Sequence, residues 1–278
     1  MEGQKTILIT GASSGIGKAC AMELAKKKHR IIILCRNELR GKEALSEIRI
    51  LSGNNQVNLM LCDLSSFDDI KRFVKEFKQN YKELDILINN AGTMNYQRKV
   101  SIDGFELHLH VNYLAPFLLT NLLLDIINPQ GRIINVSSVA HKIGKIDFNN
   151  MNLINHFSML RAYSQSKLAL TLFTFELARR LETRNITVNC LHPGVIISNL
   201  GVYKEKRFIR FMTNCFKWFF SSYEKGAETI CYLADSLETK NLTGKYFVNK
   251  KIAKPAKITQ DKELAKRLWN YTWEILKL

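Results

Sequence analysis

Short apolar runs alternate with longer polar-apolar stretches along most of the chain. Thr6-Ile7-Leu8-Ile9, Arg30–Cys35, Val57–Cys62, Leu84–Asn89, Arg132–Ser137 and Thr187–Leu191 are continuous apolar or β-branched segments of strand length. Between them lie segments of helical composition: Gly15–Lys28, Lys42–Arg49, Asp68–Asn80, Gly104–Ile127 and Arg161–Glu182. Strands without an alternating polar face are buried on both sides. Joined by helical crossovers, they predict a parallel sheet covered on both faces. The regularity weakens after Pro193. Gly244–Val248 then offers a seventh strand and Glu263–Leu276 a terminal helix. The expected fold is α/β, a single doubly wound domain over 1–278 with about seven strands. A segment over 199–222 covers the substrate, and a C-terminal helix spans 261–277.

The composition is compatible with this picture. The chain has 278 residues, 46% of them hydrophobic, which is enough for one large core. Only four prolines occur, so no proline-rich linker divides it. No uninterrupted apolar stretch reaches the length of a bilayer span, so no transmembrane helix is expected. No apolar signal region precedes Gly11, and none is expected. The six cysteines are scattered without a CxxC pair, which fits buried thiols in a reducing, cytoplasmic setting and no zinc. His108 and His110 stand two apart without a third ligand and read as satisfied or exposed histidines. No metal is expected.

The net charge of +16 changes the picture more. Much of the excess falls after Gly201. Attraction to nucleic acid, to an anionic membrane surface or to an anionic ligand would each account for it, as would a solvated lysine-rich surface. No recognised nucleic-acid motif accompanies it, so no specific nucleic-acid partner is expected.

Two motifs carry chemistry. Thr10-Gly11-Ala12-Ser13-Ser14-Gly15-Ile16-Gly17 lies between the first strand and the first helix. There Gly11 permits the turn, Gly15 lets backbone approach a pyrophosphate, and Gly17 lets helix pack on strand. Free N–H groups and the helix dipole favour the anion. At the end of the second strand Arg36 stands where an acidic residue would select NAD, and Arg40 follows one helical turn later. A guanidinium suits a 2′-phosphate, so NADP is expected. The second motif is Tyr163-Ser164-Gln165-Ser166-Lys167. Four residues apart on a helix, phenol and ammonium share one face. A cation lowers a phenol's pKa and suits it to proton transfer between alcohol and carbonyl.

With these pieces in order, the chain resembles the short-chain dehydrogenase/reductase family, which has the Rossmann fold. The resemblance is carried by Thr10–Gly17, Asp63-Leu64, Asn89-Asn90-Ala91-Gly92, Asn112, Ser137-Ser138, Tyr163 with Lys167, and His192-Pro193-Gly194. Leu118–Leu123 and Lys266–Trp269 are similar to its retinol dehydrogenase branch. The resemblance implies that Tyr163 is the acid/base and that Lys167 lowers its pKa and holds the nicotinamide ribose. Ser138 would polarise the substrate oxygen and Asn112 would position a relay water. It further implies cofactor contacts from Gly11, Ser13, Ser14, Gly15, Ile16, Gly17, Arg36, Asp63, Leu64, Asn90, Ala91, Gly92, Tyr163, Lys167, Pro193, Gly194, Val195 and Ser198. The family often forms dimers or tetramers, and a homo-oligomer is expected on that analogy alone.

Two departures from the family pattern stand out. Ser138 and Tyr163 are 25 residues apart, so 141–158 forms an insert beside the site. Ala115 replaces a common glycine.

Phe208, Phe211, Met212, Cys215, Phe216 and Phe219 form one helical stripe with Lys206, Arg207, Arg210 and Lys217 off it. Core packing, a lid over an apolar substrate, or rest on an anionic membrane each suit that pattern. The expectation is an NADP(H)-dependent oxidoreductase of lipophilic alcohols and their aldehydes or ketones, retinoid-like, peripherally membrane-associated if the stripe meets lipid. A carbonyl or steroid reductase is the alternative within the family. A catalytically silent NADP-binding sensor is the alternative outside enzymes.

Overall fold

The structure is a computed structural model and describes residues 3–194 and 222–278. Eight strands form one sheet in the order β3-β2-β1-β4-β5-β6-β7-β8. The first six are β1 (Thr6–Thr10), β2 (Arg30–Cys35), β3 (Val57–Leu61), β4 (Leu84–Asn89), β5 (Ile127–Val136) and β6 (Thr187–His192). With β7 (Tyr246–Val248) they run parallel. The eighth, β8 (Lys251–Ile252), is a two-residue antiparallel return from β7 that the apolar pattern does not reveal.

Period two sorts the strand side chains onto the two faces. Ile7, Ile9, Ile31 and Ile33 meet α1 (Gly15–Lys26), α2 (Glu38–Ser52) and α7 (Tyr223–Asp235). Leu8, Ile32, Leu34 and Leu87 face the other way. They pack under α3 (Phe67–Asn80), α5 (Ala115–Leu123), α6 (Met159–Arg180) and α8 (Lys262–Leu276). There Phe117 lies 4.8 Å from Trp269 and 4.9 Å from Phe173, ring centre to ring centre. Burying an aromatic ring of this kind typically contributes about 2–3 kcal/mol.

Strand order reverses between β1 and β4, and there the carboxyl ends of the strands open a crevice. Two local details depart from the expected pattern, the first at the amino-terminal edge of the sheet and the second beside the crevice. First, β5 begins at Ile127 rather than Arg132: Ile127 pairs with Leu84, and the register then shifts before Arg132 meets Ile86. Gln130, in the left-handed region, and Gly131 accommodate this bulge. Second, the expected helix over 104–127 is not continuous. A helical turn α4 (Leu107–Leu109) passes into a π-helical turn over His110–Leu114 before α5. The stretch Leu107–Ile126 is long and apolar enough to cross a bilayer, but two-thirds of it lies inside the core.

Candidate active site

The glycine turn is held by β4. Gly11 adopts φ +67°, and a Cβ there would meet the Ala91 Cα at 2.9 Å. A Cβ on Gly17 would meet the Gly11 carbonyl and the Asn90 amide at 2.5 Å. Both positions therefore require glycine for close approach. The Thr10 hydroxyl accepts from the backbone N–H groups of Asn90 and Ala91, each at 2.9 Å. The Asn90 amide donates to the Thr10 carbonyl at 2.8 Å. The ends of β1 and β4 are thereby locked, with Gly92 following.

Helix α1 starts differently from its neighbours. Asn37, Ser66, Ser158, Ser222 and Asp261 each cap a helix by accepting a backbone N–H through the side chain. Ser14, which precedes α1, makes no such bond. Its helix start is left for an external acceptor. At Gly15, which adopts φ +58°, a Cβ would meet the Tyr223 ring at 3.5 Å, an ordinary contact, so the demand for glycine there comes from the backbone conformation. Ser13 bonds the Cys35 thiol, while Ile16 packs on the core. These features fit a dinucleotide whose pyrophosphate sits at the turn.

Just beyond β2, Arg36 is 73% exposed and lies 3.6 Å from the Asp63 carboxylate. The Asp63 side chain also accepts from Ser65 N and Oγ. Leu64 packs against the core below. Pro193 and Gly194 follow β6, and Gly194 has φ +93°. Val195 and Ser198 fall outside the described residues. So do nearly all of the 199–222 segment and its aromatic stripe.

The four proton-transfer candidates come from three elements. Asn112 sits in the π turn, a backbone irregularity common at functional sites. Its Oδ1 accepts from Thr93 N at 2.7 Å, and its Nδ2 donates to the Thr93 carbonyl and to Ser166 Oγ, both at 3.0 Å. The side chain is fully engaged, which fixes the backbone around it.

The two serines at the end of β5 separate clearly. The Ser137 hydroxyl bonds the Lys167 carbonyl at 3.2 Å and Thr171 Oγ1 at 2.8 Å, so it ties strand to helix. Ser138 instead shares a hydrogen bond with the Tyr163 phenol. Burial pushes the phenol above its ordinary pKa, and that bond partly draws it back. The Lys167 ammonium lies 5.8 Å from the Tyr163 ring centre and donates to the Val136 carbonyl at 2.8 Å. Burial lowers its pKa to about 8. Desolvation, more than mutual charge, therefore sets both groups here.

The sequence pattern missed the polar network beneath these residues. Asn89 Nδ2 donates to Asn135 Oδ1 at 2.8 Å and to Thr120 Oγ1 at 3.0 Å, and Asn135 Nδ2 donates to Thr174 Oγ1 at 2.9 Å. Thr93 and Ser166, which hold Asn112, were missed as well. Polar letters inside otherwise apolar runs were the available signal.

The two histidines are internal. The His108 ring bridges Glu106, 2.6 Å away, and Asn95 N, 2.8 Å away. His110 bonds Ser101 Oγ at 2.7 Å, and burial lowers its pKa to about 4. Among the described residues no group of three or more His, Cys, Asp or Glu could hold a metal. Cys20, Cys35, Cys62 and Cys190 are buried thiols.

Comparison with known proteins agrees with the fold and crevice. The short chain dehydrogenase family model matches residues 5–207. The chain belongs to that family, in its retinol dehydrogenase-like branch, and is an oxidoreductase acting on CH–OH groups. Human (Homo sapiens) retinol dehydrogenase 12 is 42% identical over 276 residues, 98% of this chain and 86% of the relative. A solved but uncharacterized protein of Mycobacterium paratuberculosis superposes with TM-score 0.79 at 29% identity, covering 99% of this chain and 94% of the other. The angucycline C-6 ketoreductase LanV, solved with bound NADP, gives TM-score 0.70 at 25% identity, covering 88% and 93%.

Proposed function

We propose that the chain interconverts a lipophilic alcohol, retinol-like, and its aldehyde or ketone, with NADP(H) as hydride carrier and Tyr163 as acid/base. The observation that carries this reading is the grouping of Tyr163 with Ser138 at the end of β5 and with the buried Lys167, whose ammonium lies 5.8 Å from the phenol ring centre. When bound, the nicotinamide supplies or accepts the hydride. The chain's own residues do the rest. Tyr163 gives a proton to the carbonyl oxygen in reduction and takes it back in oxidation. Ser138 donates to the same oxygen and stabilises charge developing there. Lys167 would hold the nicotinamide ribose, and its positive charge favours the phenolate when the phenol has lost its proton. Asn112, pinned by Thr93 and Ser166, presents its backbone carbonyl to a relay water.

For the cofactor, the turn Gly11–Gly17 with Ser13, Ser14, Gly15 and Ile16 would take the pyrophosphate. Asp63, Leu64, Asn90, Ala91 and Gly92 would line the adenosine side, and Pro193, Gly194, Val195 and Ser198 the carboxamide side. Arg36 would meet the 2′-phosphate, and the NADP in the LanV structure supports that choice. Substrate chemistry is read from the retinol dehydrogenase relatives and from Val139 and Ile143, exposed apolar residues just after Ser138.

The test is cofactor absorbance with NADPH and with NADH against retinal, steroid ketones, aliphatic aldehydes and sugars. Turnover of retinal or another lipophilic carbonyl with NADPH is expected, and it should vanish in Tyr163→Phe while NADPH still binds. Activity confined to sugars, or a Tyr163→Phe variant of near-normal rate, overturns the reading.

A further inference from the structure

Among the buried side chains outside the four candidates that bond active-site backbone, Ser137, Ser166 and Thr171 do so through hydroxyls and His141 through a titratable ring. His141 is fully buried in the 3-10 turn Val139–Ile143, which follows Ser138 immediately. Its Nδ1 lies 2.6 Å from the Ser138 carbonyl oxygen. Its Nε2 lies 3.0 Å from the backbone nitrogen of Ala256, in the segment beyond β8. The ring rests on Tyr246 of β7, centre to centre 4.8 Å.

These partners fix the state of the ring. A carbonyl only accepts, so Nδ1 carries the hydrogen. A backbone N–H only donates, so Nε2 is bare. Protonating Nε2 would set two donors against each other and leave the Ala256 N–H unsatisfied inside the protein. Burial lowers the His141 pKa against the pull of the Ser138 carbonyl, and the nearby Lys142 charge lowers it further. His192 of β6 is the other titratable ring whose charge would oppose that of His141. The imidazole is a neutral strut with one tautomer.

We propose that His141 is a positioning residue for Ser138, bracing its carbonyl through Nδ1 and anchored in turn by the Ala256 N–H. The Ser138 carbonyl receives two donors, the His141 ring and the His141 backbone N–H at 3.2 Å. The same turn is pressed against α6 just beyond Tyr163: a Cβ on Gly144 would clash with the Ser164 carbonyl. The turn thus spans the gap between the serine and the tyrosine helix. The strut sets where the Ser138 hydroxyl points relative to the phenol. Small misplacements of such groups cost rate more than binding.

This proposal rests on the function proposed above, and the test separates the two. Asparagine places its amide nitrogen near the position of Nδ1, so His141→Asn keeps the donor to Ser138 and loses the Ala256 bond. Glutamine places its amide oxygen near Nε2, so His141→Gln keeps the Ala256 bond and loses the donor. His141→Phe loses both. Steady-state rates are taken with NADPH and the lipophilic aldehyde that turns over fastest in wild type, beside NADPH affinity and thermal midpoint.

In His141→Gln and His141→Phe, kcat should fall about ten- to a hundredfold, with KM and NADPH affinity within about threefold of wild type. His141→Asn should restore kcat to within about threefold. A purely structural role predicts rates that track thermal midpoints instead. The proposal is overturned if His141→Asn is as slow as His141→Gln, or if all three keep wild-type kcat. If the variants do not fold, nitrogen NMR of wild type decides: a hydrogen on Nδ1 at neutral pH is expected, and the opposite tautomer or an imidazolium overturns it. Loss of activity in Tyr163→Phe with a normal His141 series sinks this proposal alone. Survival of activity in Tyr163→Phe sinks the function and this proposal together.

Discussion

Lys167 directs its ammonium at the Val136 carbonyl, 2.8 Å away, at the end of the strand that presents Ser138. That hydrogen bond does not offset the loss of water. Burial brings the lysine from 10.5 to about 8. The group is therefore close to neutrality in the cofactor-free protein at mildly alkaline pH. An anionic ligand placed beside it would restore the charge.

A stability difference follows from that lysine. Between about pH 8 and 10.4 the unfolded chain holds a proton on Lys167 that the folded chain has released. In that window the unfolded state binds more protons, so folding stability gains as pH rises. Lys167→Met lacks this contribution. The stability of wild type minus that of the variant should therefore grow by about 2 kcal/mol from pH 8 to pH 10. Urea unfolding of the cofactor-free proteins measures it, and a constant difference would show that Lys167 is not displaced from its ordinary value.

Ser138 has two effects on Tyr163, and both point the same way on removal. Its hydrogen bond favours the phenolate, so Ser138→Ala raises the phenol's pKa further. It is also the donor expected at the substrate oxygen. In the oxidative direction kcat should drop about a hundredfold, and the alkaline rise of the rate profile should move to higher pH. A variant with reduced kcat but an unmoved profile would separate substrate polarisation from phenol tuning.

Arg36 lies on the surface and pairs with Asp63 at 3.6 Å, an exposed contact worth about 0–1 kcal/mol to the fold. Its removal should therefore be visible in cofactor choice and not in the thermal midpoint. Arg36→Glu should weaken NADPH binding by about tenfold or more and improve the relative use of NADH. Equal use of both cofactors by wild type would remove the reason for assigning Arg36 to the 2′-phosphate.

Much of this was legible from letters alone, for reasons tied to particular residues. Ile7, Ile9, Ile31 and Ile33 read as strand because their runs are short, β-branched and separated by segments of helical length. The Gly11–Gly17 turn was readable because its position between strand and helix restricts what it can do. The π turn around Asn112 was not readable: His110-Val111-Asn112-Tyr113-Leu114 has ordinary helical composition, and the extra residue is imposed by what surrounds it. Nor was β8, too short to show a period. His141 opens the insert expected over 141–158 beside the site. Its double hydrogen bond depends on Ala256, more than a hundred residues on, and no local pattern encodes that. Lys167 was expected to act chiefly through its charge, whereas its burial decides its state.

Among the described residues, two lysines and a histidine ring meet at one acid near the end of α7. The Asp235 carboxylate, at the end of α7, meets Lys27 at 2.6 Å, His29 at 3.1 Å and Lys5 at 3.2 Å. Burial alone would raise its pKa, but the hydrogen bonds and charges of Lys27 and Lys5 outweigh that and hold it far below the usual carboxylate range. The lowered value means that the folded state prefers the ionised acid. The stabilisation is fully present above the unfolded value near 3.9 and disappears as pH falls below it. Water still reaches the cluster and screens it, so Asp235→Asn should cost about 1–2 kcal/mol at neutral pH. The gap between variant and wild type should shrink on acidification below about pH 4. Chemical unfolding at neutral and acid pH reads both. A variant as stable as wild type at neutral pH would mean that the cluster contributes only to solubility, while a gap that persists unchanged in acid would assign the loss to geometry and not to charge.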